Sequence, residues 1–415
     1  MIQTIIKKAK DKVKPIFDRY EDVKLFNQRK VLNAFQQART GTHCFMDSTG
    51  YGYHDLGRET LEEIYTHIFQ TEAALVRPQI VSGTHAIYLC LSILKPGDEL
   101  LSLSGSPYDT LQHIIGTKGD SERSLIKKGI KYSEVPLDQD GLLDYHAIEQ
   151  AIKPTTTMVM IQRSRGYLWR PSINIESIKR ACEIVAKINP NCIIFVDNCY
   201  GEFVETLEPT EVGAHLMAGS LIKNPGGSLA TSGGYVVGKE ELVDSCADSL
   251  TAPGLGNKMG PTFGLIRPLM QGLFIAPHIV SEALFGAILA AEVFMELGFE
   301  VSPKPDEFRT DIIQAIRMGS KESLLAFCEG IQKASPVDFQ YSPTPDAMPG
   351  YQDSVVMAGG TFIQGSSIEL SADGPIREPY ICFLQGGICK EHVEIALEFV
   401  LTELKNANLL PSQKL

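Results

Sequence analysis

Residues 192–196, Cys-Ile-Ile-Phe-Val, form an unbroken apolar run that stops at Asp197 and follows an amphipathic helical stretch at 174–188. A strand with apolar side chains on both faces has no face to offer water, so it belongs inside a sheet covered by helices on both sides. The flanking chain keeps the same alternation. Extended patterns at 73–81, 98–103, 156–162, 215–221 and 234–237 interleave with helical ones at 57–70, 84–94 and 108–115, the rhythm of βα units. The expected class is α/β, with a large, mostly parallel sheet.

After a Gly/Pro-rich stretch at 252–261 and a long helical region at 263–297, the pattern changes beyond Ser302-Pro303-Lys304-Pro305. A helix at 321–333, short strands near 354–357, 367–371 and 380–384, and a helix at 390–405 read as a smaller α+β domain. The chain is therefore expected to divide into an N-terminal arm with helices at 1–56 (one at 23–37), a large domain at 57–297 and a small C-terminal domain at 298–415. With 415 residues and 44% hydrophobic content, it can bury cores of that size.

Composition removes several classes of function. A net charge of −12 gives no broad basic face for a phosphate backbone, so nucleic acid is not an expected partner. No apolar signal-peptide core follows the N-terminal lysines, and no later stretch reads as apolar for long enough to span a bilayer. The expected compartment is the cytoplasm, without a membrane partner. The nine cysteines never form a C-x-x-C pair and the histidines show no ligand spacing, so core thiols and no metal site are expected.

Three segments carry candidate chemistry. Ile80-Val81-Ser82-Gly83-Thr84-His85-Ala86 is a strand running into a turn that opens a helix. Free N–H groups at that helix start, with the Ser82 and Thr84 hydroxyls, can cradle a phosphate, although Ser and Thr are also ordinary helix caps. Asp197 ends the most apolar strand, where open α/β sheets place ligand contacts. Buried, it needs a cation or several donors; a protonated pyridine nitrogen would serve, and so would a turn at 198–201 that it capped. In Ser220-Leu221-Ile222-Lys223-Asn224-Pro225-Gly226-Gly227 an apolar strand delivers a lysine just before a tight turn. Desolvation lowers a lysine pKa and makes the amine a nucleophile toward an aldehyde, whereas a solvated surface lysine would have no such role.

In this order the three segments resemble the fold-type I, aspartate aminotransferase-like, pyridoxal-phosphate (PLP) enzymes, in which a lysine holds the cofactor as a Schiff base. Over most of the chain the resemblance is to the methionine gamma-lyase-like or aluminium-resistance proteins, relatives of the cystathionine lyases. It is carried by Gly50-Tyr51-Gly52-Tyr53-His54-Asp55-Leu56-Gly57-Arg58-Glu59, Ser82-Gly83-Thr84-His85-Ala86, Val196-Asp197-Asn198-Cys199-Tyr200-Gly201-Glu202-Phe203, the Lys223 segment, and Gln271-Gly272-Leu273-Phe274. The resemblance implies that Lys223 binds the cofactor aldehyde, that Asp197 pairs with the ring nitrogen, and that Gly83, Thr84 and Ser220, with Ser82 and Cys199 beside them, line its site. It further implies that Tyr108 stacks on the ring, that Tyr51 or Tyr53 reaches a neighbouring subunit's phosphate, and that Arg377 binds the substrate carboxylate. Tyr108 also fits an ordinary core position at a helix start.

Two departures bear on substrate. Leu221 and Ile222 precede the lysine where the transsulfuration lyases carry a small residue and Thr, and Gln162-Arg163-Ser164-Arg165-Gly166-Tyr167 replaces their Asn-Pro turn. Arg163 and Arg165 read either as a second anion site for substrate or as a surface pair, with the former favoured because they follow a buried strand. The expected activity is a carbon-sulfur lyase acting on a sulfur-containing amino acid such as cystathionine, methionine or cysteine by β- or γ-elimination, as a homodimer or homotetramer with shared sites. Transamination on the same machinery is the alternative. Gly254-x-Gly256-x-x-x-Gly260 only approximates a dinucleotide fingerprint, which leaves a non-catalytic nucleotide-binding or scaffolding protein as the remaining reading.

Overall fold

The structure, a computed structural model, describes residues 2–348 and 350–411. Among them one sheet holds β1 (Ala73–Arg77), β2 (Glu99–Ser102), β3 (Lys131–Glu134), β4 (Thr156–Gln162), β5 (Ile193–Asp197), β6 (Leu216–Ser220) and β7 (Gly234–Gly238). Its spatial order is β1-β7-β6-β5-β4-β2-β3. The run from β6 to β3 is parallel, while β7 lies antiparallel to both β6 and β1.

The apolar strands at the centre behave as their sequence requires. Met158 and Met160 of β4 and Phe195 of β5 face one core, with Ala86, Leu89 and Leu111. Their chain neighbours Val159, Ile161, Ile194 and Val196 face another, with Ile178, Ala181 and Val185 from the helix Ile175–Ile188. A period of two with both phases apolar is what a doubly covered sheet requires.

A second sheet holds β8 (Glu300–Ser302), β9 (Gln314–Arg317), β10 (Val355–Ala358), β11 (Ser371–Pro375) and β12 (Ile381–Gln385), in the order β10-β11-β12-β9-β8 with every pair antiparallel. The helices Lys321–Lys333 and Lys390–Asn406 pack against each other beside it. The first sheet uses residues 73–238 and the second 300–385. Residue 1 and residues 412–415, the outer ends of the expected division, lie outside the described residues.

Two elements differ from expectation. The N-terminal helix spans Ile2–Gln37 with Pro15 inside it, rather than starting at residue 23. Its Ile6, Ala9, Val13, Tyr20, Val31 and Ala34 form one buried stripe, which extends along the helix Ile266–Glu296. That second helix, contrary to the expectation for the chain, is long and apolar enough to cross a membrane, with a mean hydropathy of 1.8 over its best window. Yet 83% of that window is buried inside the protein, and Glu282 and Glu292 of the helix meet the Lys390 N–H and the Lys12 ammonium. A helix apolar all round is also the signature of a central core helix, and here it joins the two sheets' cores.

Candidate active site

The carboxyl ends of β4, β5 and β6, with the start of the helix Gly83–Leu91, open onto a cavity of about 650 Å³ whose far wall comes from β11 and β12. Ser82, Gly83, Thr84, Tyr108, Asp197, Cys199, Ser220 and Lys223 all line it. Residues spread over 142 positions of sequence therefore meet in one place, at the end of the sheet where parallel strands present ligands.

At the helix start the Ser82 hydroxyl is occupied as a cap, accepting from the His85 N–H at 3.1 Å. The Thr84 hydroxyl lies 3.0 Å from the Tyr108 hydroxyl. Gly83 is where backbone closeness is required: a Cβ there would stand 3.0 Å from Cys199 Sγ and 3.1 Å from Ser220 Cβ. Small side chains and helix N–H groups thus form a narrow concavity suited to an anion.

Asp197 is almost fully buried and accepts the Cys199 N–H on Oδ1 at 3.2 Å. Burial raises its pKa, opposed by Lys223 and by that N–H. Lys223 sits on the turn Asn224–Gly226, with Nζ 3.8 Å from the centroid of the Tyr200 ring. The lowered lysine pKa expected from desolvation is not what the site produces. Burial does push it down, but the surrounding Cys199, Tyr200, Asp197 and Tyr108 outweigh burial and the pKa is raised. Lys223 Nζ lies against an aromatic face with the Asp197 charge acting on it.

The turn that presents Lys223 is set by contacts that only glycine allows. A Cβ on Gly272 of the long core helix would come 2.1 Å from the Gly226 carbonyl oxygen, and one on Gly227 would come 2.3 Å from the Gly272 oxygen. The helix backbone and the lysine turn touch directly, which accounts for Pro225-Gly226-Gly227 and Gly272 together.

Other expected site residues lie differently. Arg163 does not line the cavity. It is fully buried beneath it, donating to Asn198 Oδ1 at 2.7 Å, to the Gly201 carbonyl at 3.0 Å and to Glu205 at 2.6 Å, with Glu208 3.7 Å away. Its anion partners are supplied by the protein, so the substrate-binding expectation for it is corrected. Arg165 borders the cavity; its buried guanidinium donates through Nη1 to the Ser302 carbonyl and hydroxyl at 2.9 and 3.1 Å, while Nε and Nη2 have no hydrogen-bond partner among the described residues. Arg377 also borders it and is paired with Asp353 at 3.0 Å. Tyr51 and Tyr53 are exposed, outside the cavity, their rings 5.4 Å apart. Their loop packs against the Gly/Pro-rich stretch: the Gly260 N–H meets the Tyr51 carbonyl at 2.9 Å. Buried Arg58 stitches them by donating to the Gly52 and Gly260 carbonyls at 2.6 and 2.8 Å.

Several lining residues escaped the sequence reading. Tyr200 lies under Lys223 with a φ of 72°, a left-handed conformation that a tyrosine rarely adopts. Tyr167, Tyr351, Asp373 and Phe383 form the wall opposite the turn and strand ends. Adjacency to the Asp197 motif pointed to Tyr200; nothing in the pattern pointed to Asp373, in the segment Ser371-Ala372-Asp373-Gly374-Pro375.

A sequence profile of the family described as methionine gamma-lyase matches residues 2–405. The uncharacterised protein YnbB of Bacillus subtilis is 49% identical over 397 residues, 95% of this chain and 94% of that protein. The crystal structure of a candidate cystathionine beta-lyase involved in aluminium resistance, from Listeria monocytogenes, superposes with a TM-score of 0.94 at 50% identity, covering 97% of this chain and 99% of that one. A carbon-sulfur lyase involved in aluminium resistance, from Clostridium novyi, gives 0.93 at 47%, over 97% and 96%. The chain belongs to the methionine gamma-lyase family, a family of PLP-dependent lyases, and has their fold-type I architecture.

Proposed function

We propose that this protein is a PLP-dependent carbon-sulfur lyase that cleaves a sulfur-containing amino acid by β- or γ-elimination. The observation that carries the reading is the convergence of Gly83, Asp197 and Lys223 on one cavity. The residues present fit the cofactor. The glycine-tight helix start and Ser220 suit its phosphate, Tyr108 its ring face, the buried Asp197 a protonated ring nitrogen, and Lys223 its aldehyde. When bound, the cofactor supplies an electron sink for the pair left behind as the substrate Cα proton departs.

The chain's own groups would do the rest. Asp197, on which Lys223 is the charge that acts among the described residues, would hold the proton of the ring nitrogen by charge. Lys223 Nζ, lying on the Tyr200 face with the Asp197 charge acting on it, would be the group placed to take the Cα proton. Cleavage of the carbon-sulfur bond then frees a thiol. In this reading the working unit is a homodimer or larger homo-oligomer, since Tyr51 and Tyr53 stand exposed on a loop packed on Gly260 and Pro261, a stretch that in turn meets Arg77 and Gln79, just ahead of the Gly83 turn.

The test is product analysis on cofactor-loaded protein given cystathionine, methionine and cysteine. A thiol with a keto acid and ammonia is the expected result. With a 2-oxo acid added as amino-group acceptor, a new amino acid without thiol would replace elimination by transamination.

A further inference from the structure

The cavity wall opposite the Lys223 turn has a composition that the proposed reaction does not use. Asp373, on β11, is only 3% exposed, yet lines the cavity. Three rings surround this end as a bent wall rather than a stack. The Tyr167 and Tyr351 centroids are 5.5 Å apart with planes at 48°, and those of Tyr167 and Phe383 are 5.2 Å apart at 43°. The neighbouring Tyr200 ring lies with its centroid 3.8 Å from Lys223 Nζ.

Of the basic side chains at this end, Arg377 is paired with Asp353, and Arg165 donates to Ser302 through Nη1 while its Nε and Nη2 find no partner among the described residues. Asp373 takes part in no ion pair among the described residues; Tyr167 is its hydrogen-bonding neighbour, and Lys223 is the charge acting on it. A buried carboxylate without a cation is costly, and burial pushes the Asp373 pKa up to about 7. A cation arriving beside it would be attracted by the carboxylate and by the electron-rich ring faces together, and the exclusion of water strengthens both. A carboxylate arriving beside Asp373 would meet like charge.

We propose that Asp373 with Tyr167, Tyr351 and Phe383 forms a specificity site for a positively charged group on the substrate side chain, an ammonium or a sulfonium. This rests on the lyase reading for the substrate being a sulfur amino acid, and it narrows that class to those whose side chain carries a cation. Asp373 selects the substrate by charge and takes no part in bond cleavage.

The experiment compares matched ligands on wild-type holoprotein treated with borohydride, which blocks turnover through the cofactor, and reads their affinity by calorimetry. S-(2-aminoethyl)-L-cysteine is set against S-propyl-L-cysteine, and S-methyl-L-methionine against L-methionine. The two pairs separate an ammonium from a sulfonium source. At least one cation is expected to bind about tenfold or more tightly than its neutral partner. Asp373→Asn should abolish the preference and Asp373→Glu should retain part of it. Equal binding within both pairs would overturn the proposal without any variant. So would a preference that survives Asp373→Asn, or a loss that falls equally on cationic and neutral ligands, since the carboxylate would then serve the common α-ammonium. Release of 2-oxo acid and ammonia with the sulfur leaving group, a thiol or for the sulfonium a thioether, by untreated protein is measured in parallel. Its absence with all four ligands removes the lyase reading, while the calorimetric preference still judges the charge site.

Discussion

Replacing Arg163 by Met separates a structural cation from a substrate-binding one. The guanidinium is fully buried and joins Glu205, Glu208, Asn198 and the Gly201 carbonyl, all within the protein. Methionine keeps most of the volume but leaves two buried carboxylates without their cation, a loss of about 3–5 kcal/mol. With an unfolding entropy of about 2.1 cal/mol/K per residue over 415 residues, the thermal midpoint should fall by about 3–6 °C. The deficit should also depend on pH. Burial raises the pKa of Glu205 and Glu208, and Arg163 is the strongest influence holding both down. Without it their folded pKa values rise further above the unfolded ones. A raised folded pKa gives stability that is present below the unfolded pKa and lost as pH rises through the folded one. The variant should therefore be furthest from wild type near pH 8 and closer near pH 5. Differential scanning calorimetry at both pH values, with the Michaelis constant for thiol release, is the assay. An unchanged midpoint together with a Michaelis constant raised about tenfold would refute the structural role and restore Arg163 as an anion site.

Glu202 is fully buried, accepts from the Tyr235 hydroxyl at 2.7 Å, and burial pushes its pKa up to about 8. Wild-type stability should therefore fall as pH rises from about 4.5 to about 8, and Glu202→Gln should flatten that slope; identical slopes would count against it. Gly272→Ala places a methyl 2.1 Å from the Gly226 oxygen, so the lysine turn must shift. A loss of about 1–3 kcal/mol is expected with reduced cofactor retention on gel filtration, and full retention would show that the turn has slack. Mixing Lys223→Ala protein with Tyr51→Phe, Tyr53→Phe double-mutant protein under subunit exchange should restore part of the activity if those tyrosines complete a neighbour's site. No recovery, with exchange shown and each parent inactive, would place them outside it.

What the sequence disclosed follows from where physics leaves a periodic trace. β4 and β5 are apolar in both phases, so their burial, their parallel pairing and the position of Asp197 at a strand end were legible. β3, Lys131-Tyr132-Ser133-Glu134, is a partly exposed edge strand and left no such pattern. β11 was expected at 367–371 but spans Ser371–Pro375, where Asp373, Gly374 and Pro375 are poor strand formers held by pairing with β10 and β12. Asp373 was hidden for that reason. Arg163 shows a different limit. A position just past a buried strand does not say whether a side chain points into the cleft or under it, and here Asn198, Glu205 and Glu208 draw it under. The Tyr51 loop and the Gly260 stretch could not be paired from sequence because one buried arginine, Arg58, joins segments about 200 residues apart.

The most direct test of the account is borohydride reduction of protein incubated with PLP, followed by proteolysis and mass mapping. A single cofactor-modified lysine is expected, Lys223, with loss of the visible absorption and no modification in Lys223→Ala. A modification mapped to another lysine, or none in protein that is folded and exposed to the cofactor, would contradict the assignment of this cavity.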